Sequence, residues 1–384
     1  MKVLYDDNAQ RIPIKMWLED IEDSAMAQII NLSNLPFAFH HIAIMPDAHT
    51  GYGMPIGGVM ATLGYVVPNA VGVDIGCGMC AVSTSLTEIN VETLKEIMSK
   101  IRKVVPVGFN HHKEKQSVTL LPERIDSCVV SREYGSALTQ IGTLGGGNHF
   151  IEIQKGSDGH IWIMIHSGSR NIGLKVAQHY NDIAVTLNEL YHSVVDKKKE
   201  LAFLPIDSQD GQNYLKEMQY CVDFALANRK LMMSNIQQCF PSGIEFAPMI
   251  NIAHNYATME HHFGSEVMIH RKGATLAREG TIGIIPGSQG TKSYIVEGLG
   301  NPDSFNSCSH GAGRKMGRKQ AERELNLEEE QRRLNDKGII HSVRTKKDLD
   351  EASGAYKDIE EVMYNQQDLV KILVELTPLG VIKG

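Results

Sequence analysis

A series of short apolar, β-branched runs, each cut off by glycine or a polar side chain, limits what this chain can fold into more than any other feature. They are His41–Met45, Val71–Asp74, Phe150–Gln154, Ile161–Ile165, Met249–Ile252, Gly283–Ile285 and Ser293–Val296, of strand length and not helix length. Between them the apolar spacing changes to the helical period and predicts helices over Val91–Val104, Leu174–Asn188, Tyr214–Gln237 and Gly313–Leu325. The class is therefore mixed, α/β or α+β. Phe150–Gln154 and Ile161–Ile165 are joined by Lys155-Gly156-Ser157-Asp158-Gly159, a glycine-containing loop that closes a hairpin and favours antiparallel pairing there.

No Pro/Ser-rich linker, repeat or low-complexity block interrupts the 384 residues, so one compact domain over 1–384 is expected. Residues Met1–Gln10 lack the basic-then-apolar order of a signal peptide, and no apolar run reaches the roughly 18 residues of a membrane span. A cytoplasmic protein without a membrane segment is expected. The cysteines Cys77, Cys80, Cys128, Cys221, Cys239 and Cys308 are too sparse for a disulfide scaffold and stay available as thiolate ligands. A formal charge of −7 argues against a protein that coats nucleic acid non-specifically. A local patch such as Arg314, Lys315, Arg318 and Lys319 can still meet a few phosphates. The glycine-rich stretches 51–58, 142–147 and 283–290 carry neither the dinucleotide fingerprint nor the P-loop, so any nucleotide is held in another way.

The residues able to carry chemistry lie at the ends of the apolar runs. In Val73-Asp74-Ile75-Gly76-Cys77-Gly78-Met79-Cys80, a carboxylate and a thiol share a glycine-rich loop that can fold tightly round an ion. Alone, Cys77 and Cys80 read equally well as small buried hydrophobes. Gly145-Gly146-Gly147-Asn148-His149-Phe150-Ile151-Glu152 enters a strand from a triple glycine, and a strand starting near His149 places Asn148 and Glu152 on one side. His166-Ser167-Gly168-Ser169-Arg170 ends another run, which makes His166 a candidate ligand and Arg170 a candidate phosphate fork. His254 ends a third, whereas His261, His262 and His270 are left outside the site because adjacent histidines point in different directions. In Cys308-Ser309-His310-Gly311-Ala312-Gly313-Arg314 a histidine with small neighbours precedes the expected basic helix, whose N-terminus offers amides to a phosphate. Such an imidazole suits a nucleophile toward an α-phosphate; a capping turn is the plainer alternative.

Taken in order, MPDAH at 45–49, VGVDIGCGM at 71–79, LGGGNHFIEI at 144–153, HSGSR at 166–170, HNY at 254–256, RKGA at 271–274, IIPGS at 284–288, SHGAGR at 309–314, AYKDI at 355–359 and the final VIKG make the chain resemble the RtcB family of RNA ligases. The resemblance runs essentially from end to end. It implies a single α+β domain with mixed or antiparallel sheets flanked by helices around a metal-containing cleft. The implied activity joins an RNA 3′-phosphate or 2′,3′-cyclic phosphate to a 5′-hydroxyl with GTP and two Mn²⁺ ions, as in tRNA splicing or RNA repair, in some relatives with an archease activator. His310 falls on the family's histidine nucleophile, which carries GMP, and Asp47 on the carboxylate that orients it. Asp74, Cys77, His149, His166 and His254 fall on the metal ligands, with the thiolate bridging. Asn148, Glu152, Ser288, Ser293, Gly311, Ala312, Gly313 and Lys383 fall on the guanylate-binding positions.

These residue types suit that chemistry. Thiolate, imidazole and carboxylate together accept Mn²⁺ or competing Zn²⁺, and a carboxylate on one imidazole nitrogen leaves the other free to attack. Three features depart from the family pattern: Asn171 follows HSGSR where many relatives have glycine, Cys80 adds a thiol, and the chain is shorter than many members. They touch loop shape more than the core chemistry. A dinuclear metal phosphoesterase or a non-catalytic RNA-end binder could use the same ligands, but neither needs SHGAGR or a penultimate lysine.

Overall fold

In the computed structural model, which describes residues 1–384, the expected hairpin becomes strands Phe150–Gly156 and Ile161–Ser167 inside a seven-stranded sheet. The order is Ile250–Ala253, Gly78–Ser83, Ile161–Ser167, Phe150–Gly156, Val370–Lys383, Ser293–Gly298, Ile282–Ile285, with every neighbouring pair antiparallel. The period-two alternation of these strands feeds two apolar layers. Ile151, Ile153, Ile163 and Ile165 pack with Ile97 and Ile101 of helix Val91–Val104 and with Met232 and Ile236 of helix Gln209–Gln237. Phe150, Trp162 and Met164 pack instead with Leu334, Ile339 and Val343. Burial on both faces is why these strands read as continuous apolar runs.

A second, six-stranded sheet has the order Lys2–Leu4, Ile14–Met16, Ala38–His49, Ile56–Thr62, Ser265–Lys272, Asn255–His262. Its one parallel pair is Ile14–Met16 with Ala38–His49. The class is α+β. At one of the crossings between the sheets the link is a single residue: Ile250–Ala253 edges one sheet, Asn255–His262 edges the other, and His254 lies between. No helix is long and apolar enough to cross a membrane.

Two expected elements differ. Val71–Asp74 is no strand: Pro68 starts a helical turn over Pro68–Val71, and Gly72, at φ 95°, turns the chain into a loop around Asp74. The expected helix Gly313–Leu325 shrinks to Arg318–Glu324. Residues 313–316 are drawn into extended pairing with 355–357 instead, through Lys357 N–H to Gly313 O (2.9 Å) and Lys315 N–H to Ala355 O (2.9 Å). The amides after His310 therefore do not belong to a helix N-terminus.

Candidate metal centre and histidine site

The site forms where the two sheets meet. The loop after Gly72 brings Asp74 and Cys77 to the start of strand Gly78–Ser83, and its neighbour Ile161–Ser167 delivers His166. The turn from the triple glycine supplies His149, and the inter-sheet junction supplies His254. Cys77, His166 and His254 form one group of close donor atoms, and Asp74, Cys77 and His149 another, so Cys77 belongs to both. Its Sγ lies 3.3 Å from His166 Nε2 and 3.5 Å from His149 Nε2, and His149 Nε2 lies 3.1 Å from Asp74 Oδ2.

The second nitrogen of each ring explains why these atoms converge. His149 Nδ1 donates to Leu144 O (3.0 Å) and His166 Nδ1 to Asn148 O (3.1 Å), which leaves both Nε2 lone pairs facing the thiol. Burial, with the neighbouring histidines, holds His166 and His254 well below the usual histidine range, in the neutral form a metal requires. Burial and the Asp74 charge push the Cys77 thiol up. Burial would also raise Asp74, but His149, Cys77 and Arg170 outweigh it and keep the carboxylate ionised. His254 Nδ1 is buried with no hydrogen-bond partner. An orphaned imidazole nitrogen beside a thiol, two imidazoles and a carboxylate is the donor set of a transition-metal site, so these residues fit a bound metal.

His310 stands beside this cluster, with its ring 4.7 Å from that of His254. Its Nδ1 lies 2.6 Å from Oδ2 of the fully buried Asp47, which also accepts the backbone N–H groups of His310 (3.1 Å) and Gly311 (3.2 Å). Ala312 packs into the core with Met45 and Ile285. Gly313 has φ 73°, and a Cβ there would lie 2.1 Å from Asp47 O. The small residues after the histidine thus let its loop close onto the strand that carries Asp47.

The remaining expected residues gather on the floor of the seven-stranded sheet. Glu152 is buried and accepts from Gln154 Nε2 (2.7 Å), which also donates to Ser293 Oγ (3.2 Å). Lys383 pairs in register with Phe150 on the adjacent strand and is half-buried. Burial pushes Glu152 up to about 8, although Lys383 and Gln154 oppose it. Ser288 hydrogen-bonds Thr291 (3.0 Å) in the loop before Ser293, and the half-buried Asn148 is held through its carbonyl. Cys80 faces the opposite layer, in contact with Ile151 and Met232, as a buried apolar residue. Half of the expected basic patch is internally neutralised: Arg314 and Arg318 both pair with Glu351 (2.7 Å each), which leaves Lys315 and Lys319 exposed. His262 is tied to Glu260 and His270 to the Val67 amide, away from the cluster.

One site residue, Arg229, gives no sign of itself in the sequence. From helix Gln209–Gln237 its fully buried guanidinium donates to Gly76 O (3.0 Å), Ser167 O (2.8 Å) and Ile252 O (3.1 Å), and to Asn251 Oδ1 (2.7 Å). These carbonyls lie next to, or two residues from, Cys77, His166 and His254, so one planar fork sets three ligand-bearing segments. Arg229→Met should lower stability by roughly 3 kcal/mol or more, from orphaned carbonyls, and lose bound metal as well. Thermal melting with metal analysis checks this, and full metal content in the variant would contradict it.

An antiparallel sheet and a mixed sheet meeting at a thiol, imidazole and carboxylate cluster, beside a histidine gripped by a buried aspartate, define an α+β protein built around a candidate metal and histidine site. The chain belongs to the RtcB family: the family model described as tRNA-splicing ligase RtcB matches residues 28–134 and 119–384. The chain is 39% identical to the RNA-splicing ligase RtcB of Escherichia coli K12, covering 100% of this chain and 99% of that protein. It is 31% identical to the tRNA-splicing ligase RtcB of Methanococcus maripaludis, with 100% and 97% covered, and 29% identical to that of Thermococcus kodakarensis, with 98% and 96% covered.

Proposed function

We propose that this protein is a GTP- and Mn²⁺-dependent RNA ligase that joins 3′-phosphate or 2′,3′-cyclic phosphate ends to 5′-hydroxyl ends, with His310 as carrier of GMP. Residues 1–384 act as one ligase domain in this reading, since the site takes side chains from both sheets. The observation that carries the reading is the grip of Asp47 on His310 Nδ1 at 2.6 Å. It leaves Nε2 as the nucleophilic nitrogen and stabilises the charge the ring gains on attack. Asp74, Cys77, His149, His166 and His254 would hold two manganese ions, which when bound neutralise phosphate charge.

His310 attacks the α-phosphorus of GTP, forming an N–P bond as pyrophosphate leaves. The RNA 3′-phosphate then takes GMP from the histidine, and the 5′-hydroxyl displaces GMP as the phosphodiester forms. A cyclic phosphate is first hydrolysed to the 3′-monophosphate. Glu152, Ser293, Ser288, Asn148 and Lys383 bind the guanylate, and Gly311, Ala312 and Gly313 give it room beside the histidine. The test is incubation with α-labelled GTP and Mn²⁺: a covalent label stable to alkali and labile to acid is expected. Absence of label together with hydrolysis of a cyclic phosphate would show a phosphoesterase instead.

The raised Glu152 carboxyl adds a pH dependence. Guanine presents N–H donors that require the ionised carboxylate, yet a group at about 8 is mostly protonated at neutral pH. GTP affinity should therefore rise up to about tenfold per pH unit approaching 8 and level off above it. Calorimetric titration across that range checks it. Glu152→Gln should flatten the profile, and a wild-type affinity independent of pH would sink the assignment.

A further inference from the structure

Phe109 is 99% exposed, the most exposed large apolar side chain in the protein. It does not hang on a loose segment. Its loop is latched by Leu144 N–H to Pro106 O (2.9 Å), Gly108 N–H to Gly145 O (2.9 Å) and His112 N–H to Thr139 O (3.0 Å). Asn110 closes the tip by donating to Val107 O through its amide side chain (3.0 Å). Arg170 Nη2 adds a bond to Gly108 O (3.1 Å). The anchors are the site's own segments: Gly145 opens the triple-glycine turn that ends in His149, and Arg170 follows the His166 strand. Gly108, at φ 63°, also lies beside the C-terminal Gly384, next to Lys383. Exposed His111, Lys113 and Lys115 follow, with the exposed Glu114 between the two lysines, in a chain whose formal charge is −7.

An aromatic ring presented to water by a latched backbone loop beside the site, with Lys113 and Lys115 following, has the composition of a single-strand stacking platform. We infer that Phe109 stacks on a nucleobase close to the RNA end being joined, while Lys113 and Lys115 meet the adjoining phosphates. The inference rests on the ligase reading and assigns a substrate contact that the nucleotide and metal residues do not supply. Because Phe109 faces solvent, its replacement leaves the fold and the guanylate site intact.

The test uses the full chain as wild type, Phe109→Ala and Phe109→Trp. Labelling by α-labelled GTP should be equal in all three. In joining assays Phe109→Ala should raise KM for RNA about 5- to 100-fold, the range expected from losing one stacked base, with kcat nearly unchanged. Phe109→Trp should keep the wild-type KM, and its added indole fluorescence should be quenched by a single-stranded RNA bearing a 3′-phosphate. Normal labelling with an unchanged KM in Phe109→Ala would overturn the inference while leaving the ligase reading intact. If wild type takes no label, the ligase reading fails by itself, and equal RNA affinity of wild type and Phe109→Ala would then overturn the stacking contact independently.

Discussion

His310→Ala should take no covalent label from α-labelled GTP and join no RNA, while Asp47→Asn should still label, slower by on the order of 10²–10⁴-fold. The two differ because they remove different things. Alanine deletes the atom that forms the N–P bond. Asparagine keeps a side chain of the same shape against His310 Nδ1 but removes the charge that stabilises the ring as it becomes cationic. His310 is half-buried and belongs to no apolar cluster, and Asp47 keeps the two backbone amides it accepts, so His310→Ala should melt close to wild type. Label surviving on His310→Ala would place the nucleophile elsewhere, and wild-type rates in Asp47→Asn would end the orienting role of that carboxylate.

Cys77→Ser should show the second large loss, in bound metal. Cys77 is common to both donor groups, so its replacement weakens both positions together. A hydroxyl is a harder, far less acidic ligand than a thiol. The loss of manganese affinity should exceed the roughly 10–100-fold typical of changes one shell further out. Cys80→Ser is the internal control: its side chain faces the opposite apolar layer and its replacement should leave metal content unchanged. Metal analysis of the purified proteins reads both, and wild-type manganese in Cys77→Ser would exclude it as a ligand.

Much of this site was legible in the sequence because its chemistry sits at strand ends. His166 and His254 each close an apolar run, and Asp74 and Cys77 share a glycine-rich loop. The fold was legible where one periodicity dominates, as in helix Val91–Val104, which matches its expected bounds. It was not legible where partners decide. The stretch 313–316 has helix-compatible residues but pairs with 355–357, a contact no local window contains. Strand Val370–Lys383 mixes exposed and buried positions without a clean alternation, because it crosses from the sheet margin into its middle and shifts register between Pro378 and Gly380. Arg229 stayed hidden for a related reason: an arginine in a long amphipathic helix reads as solvated until the three carbonyls it reaches are known.

Strand Val370–Lys383 is also the last of the large sheet to leave the ribosome, yet it lies between Phe150–Gly156 and Ser293–Gly298. Until it is made, those two strands present raw edges to each other across a gap, and the nascent chain is at its most prone to aggregate. Lys383 reaches the site on the same strand. Biosynthesis is thus coupled to completion of the sheet: until this strand is made, Lys383 is missing and the Phe150–Gly156 strand beside the cysteine and histidine cluster lacks one of its partners. A product released before this strand lacks both Lys383 and the strand that joins the two halves of the large sheet.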